Sequence, residues 1–169
     1  MSPQLCFFVS IAFALVAWGL VAKYFFWPRL RHLPLAEALR PVLLLHSFRF
    51  IGLAFLVPGV VSPDLPAGFA YPAAYGDIGA AILALLALAT LPGRAGVVIA
   101  WIANLWGTAD LLDAFYRANA AGLTPGQLGT AYFIPTLVVP LLLITHALSF
   151  RILLAGRASA AAAIQLSRG

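Results

Sequence analysis

The sequence predicts an all-α, polytopic transmembrane helix bundle of about five spans, and three observations carry that prediction. Hydrophobic residues make up 63% of the chain and charged residues only 9%, where a soluble domain carries about a quarter charged residues. The mean hydropathy of +1.01 agrees. The apolar residues come in long continuous runs, whereas the strands of a transmembrane barrel are short and alternating. In a chain of 169 residues these runs leave no room for a large soluble domain, so residues 1–169 read as one transmembrane domain.

The first span is expected at 5–27. A signal peptide would place basic residues before a short apolar core. Here the core is longer and Lys23 and Arg29 follow it, so the expectation is a retained helix. The connection 28–40 reads as a short interfacial helix with Leu33, Leu35 and Leu39 turned toward the membrane. The second span is expected at 41–61 and carries His46, Ser47 and Arg49 within an apolar run. The stretch 62–77 is rich in Pro, Gly and aromatics and reads as the least regular part of the chain. The third span, 77–91, is the shortest, with Asp77 as the cap at its positive N-terminal end. The fourth is expected at 96–116. The tetrapeptide Thr124–Gln127 has a helix-start pattern of Thr cap, Pro at the first position and Gln three residues on. The fifth span therefore reads as 125–154, kinked at Pro135 and Pro140. The tail 155–169 is helix-prone and of low complexity, and no function is assigned to it. No internal repeat supports an inverted-repeat transporter.

Charge placement predicts the orientation. Lys23, Arg29, Arg31 and Arg40 flank the first connection, Arg94 the third, and Arg151, Arg157 and Arg168 the end of the chain. The second connection has only Asp64 and Asp77, and the fourth only Arg117. The positive-inside rule then puts the N-terminus outside and the C-terminus in the cytoplasm, in what we expect to be the inner (plasma) membrane of a bacterium. Tyr24–Trp27 would form the inner aromatic belt, and Phe69, Tyr71, Tyr75, Phe115, Tyr116, Tyr132 and Phe133 the outer one. The net charge of +5 sits at segment ends, where it sets topology and meets lipid headgroups. The expected surroundings are the lipid bilayer and no nucleic acid. Cys6 is the only cysteine, which rules out an internal disulfide.

Polar residues inside the spans are the candidates for function. An arginine at mid-membrane costs about 2.5–3.5 kcal/mol on insertion scales and does not neutralise, so Arg49 must find acceptors. Asn104 and Asp110 are the expected partners, with Thr108 and the carbonyls freed by Pro135 or Pro140 as supplements. A rise of ~1.5 Å per residue puts His46 and His146 at one depth, roughly 7 Å from the inner end, and Arg49 near the depth of Asn104. The expected polar centre is His46, Arg49, Asn104, Thr108, Asp110 and His146. It binds or conducts a small ligand or a proton.

Two alternatives share these residues. In one, His46 and His146 are axial ligands of haem b in an electron-transfer subunit, with Arg40 and Arg151 toward the propionates. In the other, the chain is a structural accessory subunit and the polar groups only lock the bundle. Two histidines without a carboxylate at their depth give no metal site. Asp77, Asp110 and Asp113 form an outer acidic group, although Asp113 also pairs naturally with Arg117 at i,i+4. Gly76, Ala80 and Ala84 make a small-residue stripe for close packing, within the chain, against a membrane-protein partner or in a homo-oligomer. No Ser/His/Asp constellation, glycine-rich phosphate loop or HExxH pattern is present, so the sequence leans against an enzyme.

Overall fold

The computed structural model describes the backbone of residues 1–166 and the side chains of residues 1–156. The chain is all-α, and no β-strand occurs among the described residues. Five helices are long and apolar enough to cross a membrane. They are α1 (Pro3–Leu30), α2 (Leu35–Leu56), α3 (Ala67–Thr90), α4 (Arg94–Ala120) and α5 (Ile134–Gly156). The backbone of α5 stays helical to Leu166; the side chains of Arg157, Arg168 and the rest of the tail lie outside the described residues.

Three boundaries differ from the sequence reading. There is no separate interfacial helix over 28–40: α1 continues through a π-helical turn at Ala22–Phe26 to Leu30, and Leu35 already begins α2. Leu39 is fully buried in the core, and only Leu33 of the three expected membrane-facing leucines is strongly exposed. Helix α3 starts ten residues earlier than expected and carries Pro72 inside it, as its sixth residue, where the Gly68 carbonyl is left without its backbone donor. Asp77 is consequently a mid-helix residue and not a cap. Finally, the Thr124/Gln127 capping box forms as read from the sequence, but it starts a separate 3-10 segment, Pro125–Tyr132. Gly129, at φ 54° and ψ −132°, breaks that segment in its middle, and α5 begins beyond it with a π-turn at Ile134–Val138.

Helix α2 changes type half-way. It is α-helical to His46 and 3-10 from Ser47 to Leu56, far longer than the usual three or four residues of 3-10 helix. From His46 onward its buried residues recur every third position: His46, Arg49, Gly52 and Phe55. At three residues per turn these side chains line up in one column. At 100° per residue Phe55 would lie on the opposite side of the helix from His46. The 3-10 winding is what lets one narrow face carry all four inward while Phe48, Phe50, Ile51 and Leu53 stay outward.

Two apolar cores lie on either side of this column. One gathers Leu30, Leu39, Leu43, Leu148, Ile152 and Leu153 at the basic end of the molecule. The other gathers Phe55, Phe69, Leu128, Ala131 and Ile134 at the opposite end. At that second end the 3-10 segment is stitched to the α2–α3 connection. Thr130 N donates to Val60 O at 2.8 Å, and Ser62 N donates to Gln127 O at 3.0 Å. Gln127 Nε2 also donates to Asp64 O at 2.9 Å. A Cβ on Gly129 would run into the Val60 carbonyl. Helix α1 is peripheral, with only Ala14 and Leu30 buried; its Trp18 Nε1 donates to Leu137 O of the π-turn at 3.2 Å.

Candidate functional site: a clamped arginine between two carboxylates

The column of α2 meets three other helices at Arg49, whose side chain is fully enclosed. Its Nε donates to Asp77 Oδ1 of α3 at 2.7 Å. Its Nη2 donates to Asp110 Oδ2 of α4 at 2.6 Å. Its Nη1 donates to the Gly107 carbonyl at 3.0 Å and to His146 Nε2 of α5 at 3.2 Å. Four helices are therefore tied to one guanidinium, whose rigid fork of donors suits convergent acceptors.

The arginine also fixes the tautomer of His146. A guanidinium has no acceptor, so Nε2 must carry the lone pair and Nδ1 the hydrogen. Nδ1–H then donates to Asn104 Oδ1 at 2.7 Å, and Asn104 Nδ2 returns a bond to the His146 carbonyl at 3.4 Å. This pair joins α4 to α5. His46 lies against His146 with ring centroids 4.1 Å apart. Its Nε2 meets Thr145 Oγ1 at 3.1 Å, while its buried Nδ1 has no partner among the described residues.

Glycines make the approach possible. A Cβ on Gly107 would sit 2.6 Å from Arg49 Nη1 and 2.7 Å from His146 Nε2. A Cβ on Gly52 would collide with the Asp77 carboxylate, and one on Gly76 with the Asp110 carboxylate. Each charged group of the clamp thus lies on a helix backbone stripped of its side chain.

Of the expected polar centre, the structure brings together Arg49, Asp110, His46, His146 and Asn104. Asn104 acts through His146 and does not reach Arg49. Thr108 takes no part: its hydroxyl donates to Asn104 O of its own helix at 2.7 Å. The outer acidic group does not hold as a unit. Asp77 and Asp110 clamp the arginine, whereas Asp113 pairs with Arg117, half-exposed, at 2.5 Å. Asp77 as an arginine partner escaped the sequence reading because the helix start was placed at that residue. Gly52, Gly76 and Gly107 escaped it as contact points, although each stands one or three residues from a charged member of the clamp. The stripe of Gly76, Ala80 and Ala84 is buried inside the chain, so it serves intrachain packing and offers no face to a partner. Phe69 is buried as well and is not part of an outer belt.

The histidine pair does not fit a haem. Bis-imidazole ligation needs one free nitrogen on each ring and a porphyrin plane between the rings. Here the rings are in contact, and His46 Nε2 and His146 Nε2 are bonded to Thr145 and Arg49. The void beside them measures about 10 Å³. Arg40 pairs with Glu37 at 3.2 Å, and Arg151 lies 3.7 Å over the Trp27 ring.

On its other side the clamp opens onto a cavity of about 250 Å³. Asp77 and Asp110 form its polar end, and Phe7, Phe55, Phe69 and Ile134 are among its walls.

Residues 6–154, which include every member of the clamp, match a family described as a domain of unknown function, DUF8737. The chain belongs to that family. No curated protein matches the chain, and no solved structure matches it.

Proposed function

We propose that this chain is an integral membrane protein of five spans, in one transmembrane domain, whose buried centre binds or conducts a small ligand or a proton. The N-terminus lies outside and the C-terminus in the cytoplasm of a bacterial inner membrane, in keeping with the clustering of basic residues at one end. The observation that carries the functional reading is the charge balance of the clamp. One guanidinium faces two carboxylates, which leaves one negative charge when both are ionised. In an apolar interior an uncompensated charge is costly, so the centre is completed by a proton or by a cationic group. A purely structural clasp would need only one carboxylate.

The test is a pair of measurements on the purified protein and on an Asp110→Asn variant. Proteoliposomes enclosing a pH indicator report proton movement under an imposed gradient. Native mass spectrometry reports any small molecule retained through purification. Flux or a retained mass in the parent protein, lost in the variant, is the expected result. Absence of both would overturn the reading and leave a structural accessory subunit.

A further inference from the structure

We propose that the cavity beneath the clamp is a binding site for a lipophilic monocation, a protonated amine carried on a small apolar body. The inference rests on the ligand reading above and names its chemistry.

The polar end of the cavity is acidic. Asp77 and Asp110 line it, while the Arg49 side chain, fully enclosed, stands behind them. Each carboxylate uses one oxygen on the arginine, Oδ1 of Asp77 and Oδ2 of Asp110. Asp77 Oδ2 and Asp110 Oδ1 have no hydrogen-bond partner among the described residues, although Asp77 is only 7% exposed. Neither oxygen is sealed off, since the buried side-chain polar atom without a partner among the described residues is His46 Nδ1, so both can still accept a bond. A donor cation entering the cavity would supply both oxygens and cancel the single excess charge.

The walls decide which cation. Phe7, Phe8, Phe55, Phe69 and Phe115 surround the space, and aromatic faces attract organic cations. A hard metal ion wants about six to eight oxygen ligands, and two carboxylates among phenyl rings do not provide them. An anion would meet two carboxylates and no accessible cation. A neutral molecule would leave the excess charge in place. What remains is an ammonium head with N–H donors for the two free oxygens and an apolar body among the rings. The volume, about 250 Å³, suits a small molecule and excludes a peptide.

The test is isothermal titration of the protein in lipid nanodiscs, with empty nanodiscs as the blank for partitioning. The probes are 2-phenylethylamine, 3-phenylpropan-1-ol and 3-phenylpropionate, of similar size and opposite or no charge. The amine is expected to bind saturably, and the alcohol and the carboxylate at least tenfold more weakly. Asp110→Asn should abolish amine binding. Because that variant also weakens the clamp, Ala114→Phe is the second test: it fills the cavity from the wall of α4 and leaves every contact of Arg49 in place. It should lower amine affinity at least tenfold. Equal binding of the alcohol or the carboxylate, an unaffected Ala114→Phe, or no binding of the amine would overturn the inference. A small molecule of another class retained on the purified protein would overturn this inference and keep the broader ligand reading.

Discussion

Arg49 is the largest of the fully buried side chains, and its worth to the fold lies in what its removal would strand. Arg49→Leu leaves two carboxylates, the Gly107 carbonyl and the His146 lone pair without their donor. Removing one partner of a buried ion pair costs about 3–5 kcal/mol, a large part of a typical folding free energy. Arg117→Leu breaks only a half-exposed pair with Asp113, worth at most about 1 kcal/mol. We expect Arg49→Leu to fail to accumulate or to melt far earlier in detergent, and Arg117→Leu to behave like the parent. Equal thermal melts for the two variants would refute the clamp. Gly107 gives a sharper probe of the same site. Gly107→Ala forces a methyl against Arg49 and His146, and overpacking of this kind costs about 1–3 kcal/mol. Gly68, whose Cβ would meet nothing, is the control: Gly68→Ala should be neutral or mildly stabilising. Thermal unfolding of both glycine variants decides the matter. At this scale the sequence showed a good deal. An arginine amid apolar residues can only be enclosed, and Asp110 on a neighbouring span was a natural acceptor. Asp77 was hidden for a reason outside its own chemistry, because a carboxylate at a supposed helix start has a ready explanation as a cap.

At the scale of elements, the less regular pieces of backbone do the positioning. The 3-10 half of α2 aligns His46, Arg49, Gly52 and Phe55 in a column, so the same face that carries the arginine also floors the cavity with Phe55. The three-residue repeat was present in the sequence, but it reads equally as one turn of an α-helix until its third recurrence. The 3-10 segment Pro125–Tyr132 covers the other end of the cavity through Leu128. It is held by Gly129, whose positive φ and contact with the Val60 carbonyl tolerate no side chain. Gly129→Ala should destabilise the protein through both strain and collision, by about 1–3 kcal/mol. It should also raise protease susceptibility between α4 and α5, where Gly126→Ala, with open space around its Cβ, should not. Limited proteolysis of the two variants would check this, and equal cleavage would count against the segment as a fixed cover. Here the capping box was legible, because Thr, Pro and Gln act locally. The break at Gly129 was not, because it depends on a chain segment some seventy residues away.

At the scale of the whole molecule, asymmetry is the organising feature. The side chains of Lys23, Arg29, Arg31, Arg40, Arg94 and Arg151 belong to one end, with Arg151 over Trp27 and Arg40 on Glu37. The other end holds Asp64 and the Arg117–Asp113 pair, and exposes Tyr71, Tyr75, Tyr116 and Phe133. Hydrogen bonds between 60–64 and 127–130 confirm that the second and fourth connections share that end. A basic end resists translocation, so the orientation follows from the charges if the chain inserts as proposed. The lone Cys6 makes the orientation directly measurable. In a Cys6→Ser background, Asp64→Cys places a thiol on the less basic end, and Leu33→Cys places one on the basic end; both positions are exposed. A membrane-impermeant thiol reagent added to intact cells should label Asp64→Cys and reach Leu33→Cys only after permeabilisation. The opposite pattern would invert the topology, and would place the cavity, which lies toward the Asp64 end, in the cytoplasmic half of the bilayer. Labelling of both positions in intact cells would mean that the helices do not span at all. In that case Arg49 would be enclosed in a soluble bundle, and the charge argument for a proton or an amine at Asp77 and Asp110 would lose the apolar surroundings on which it depends.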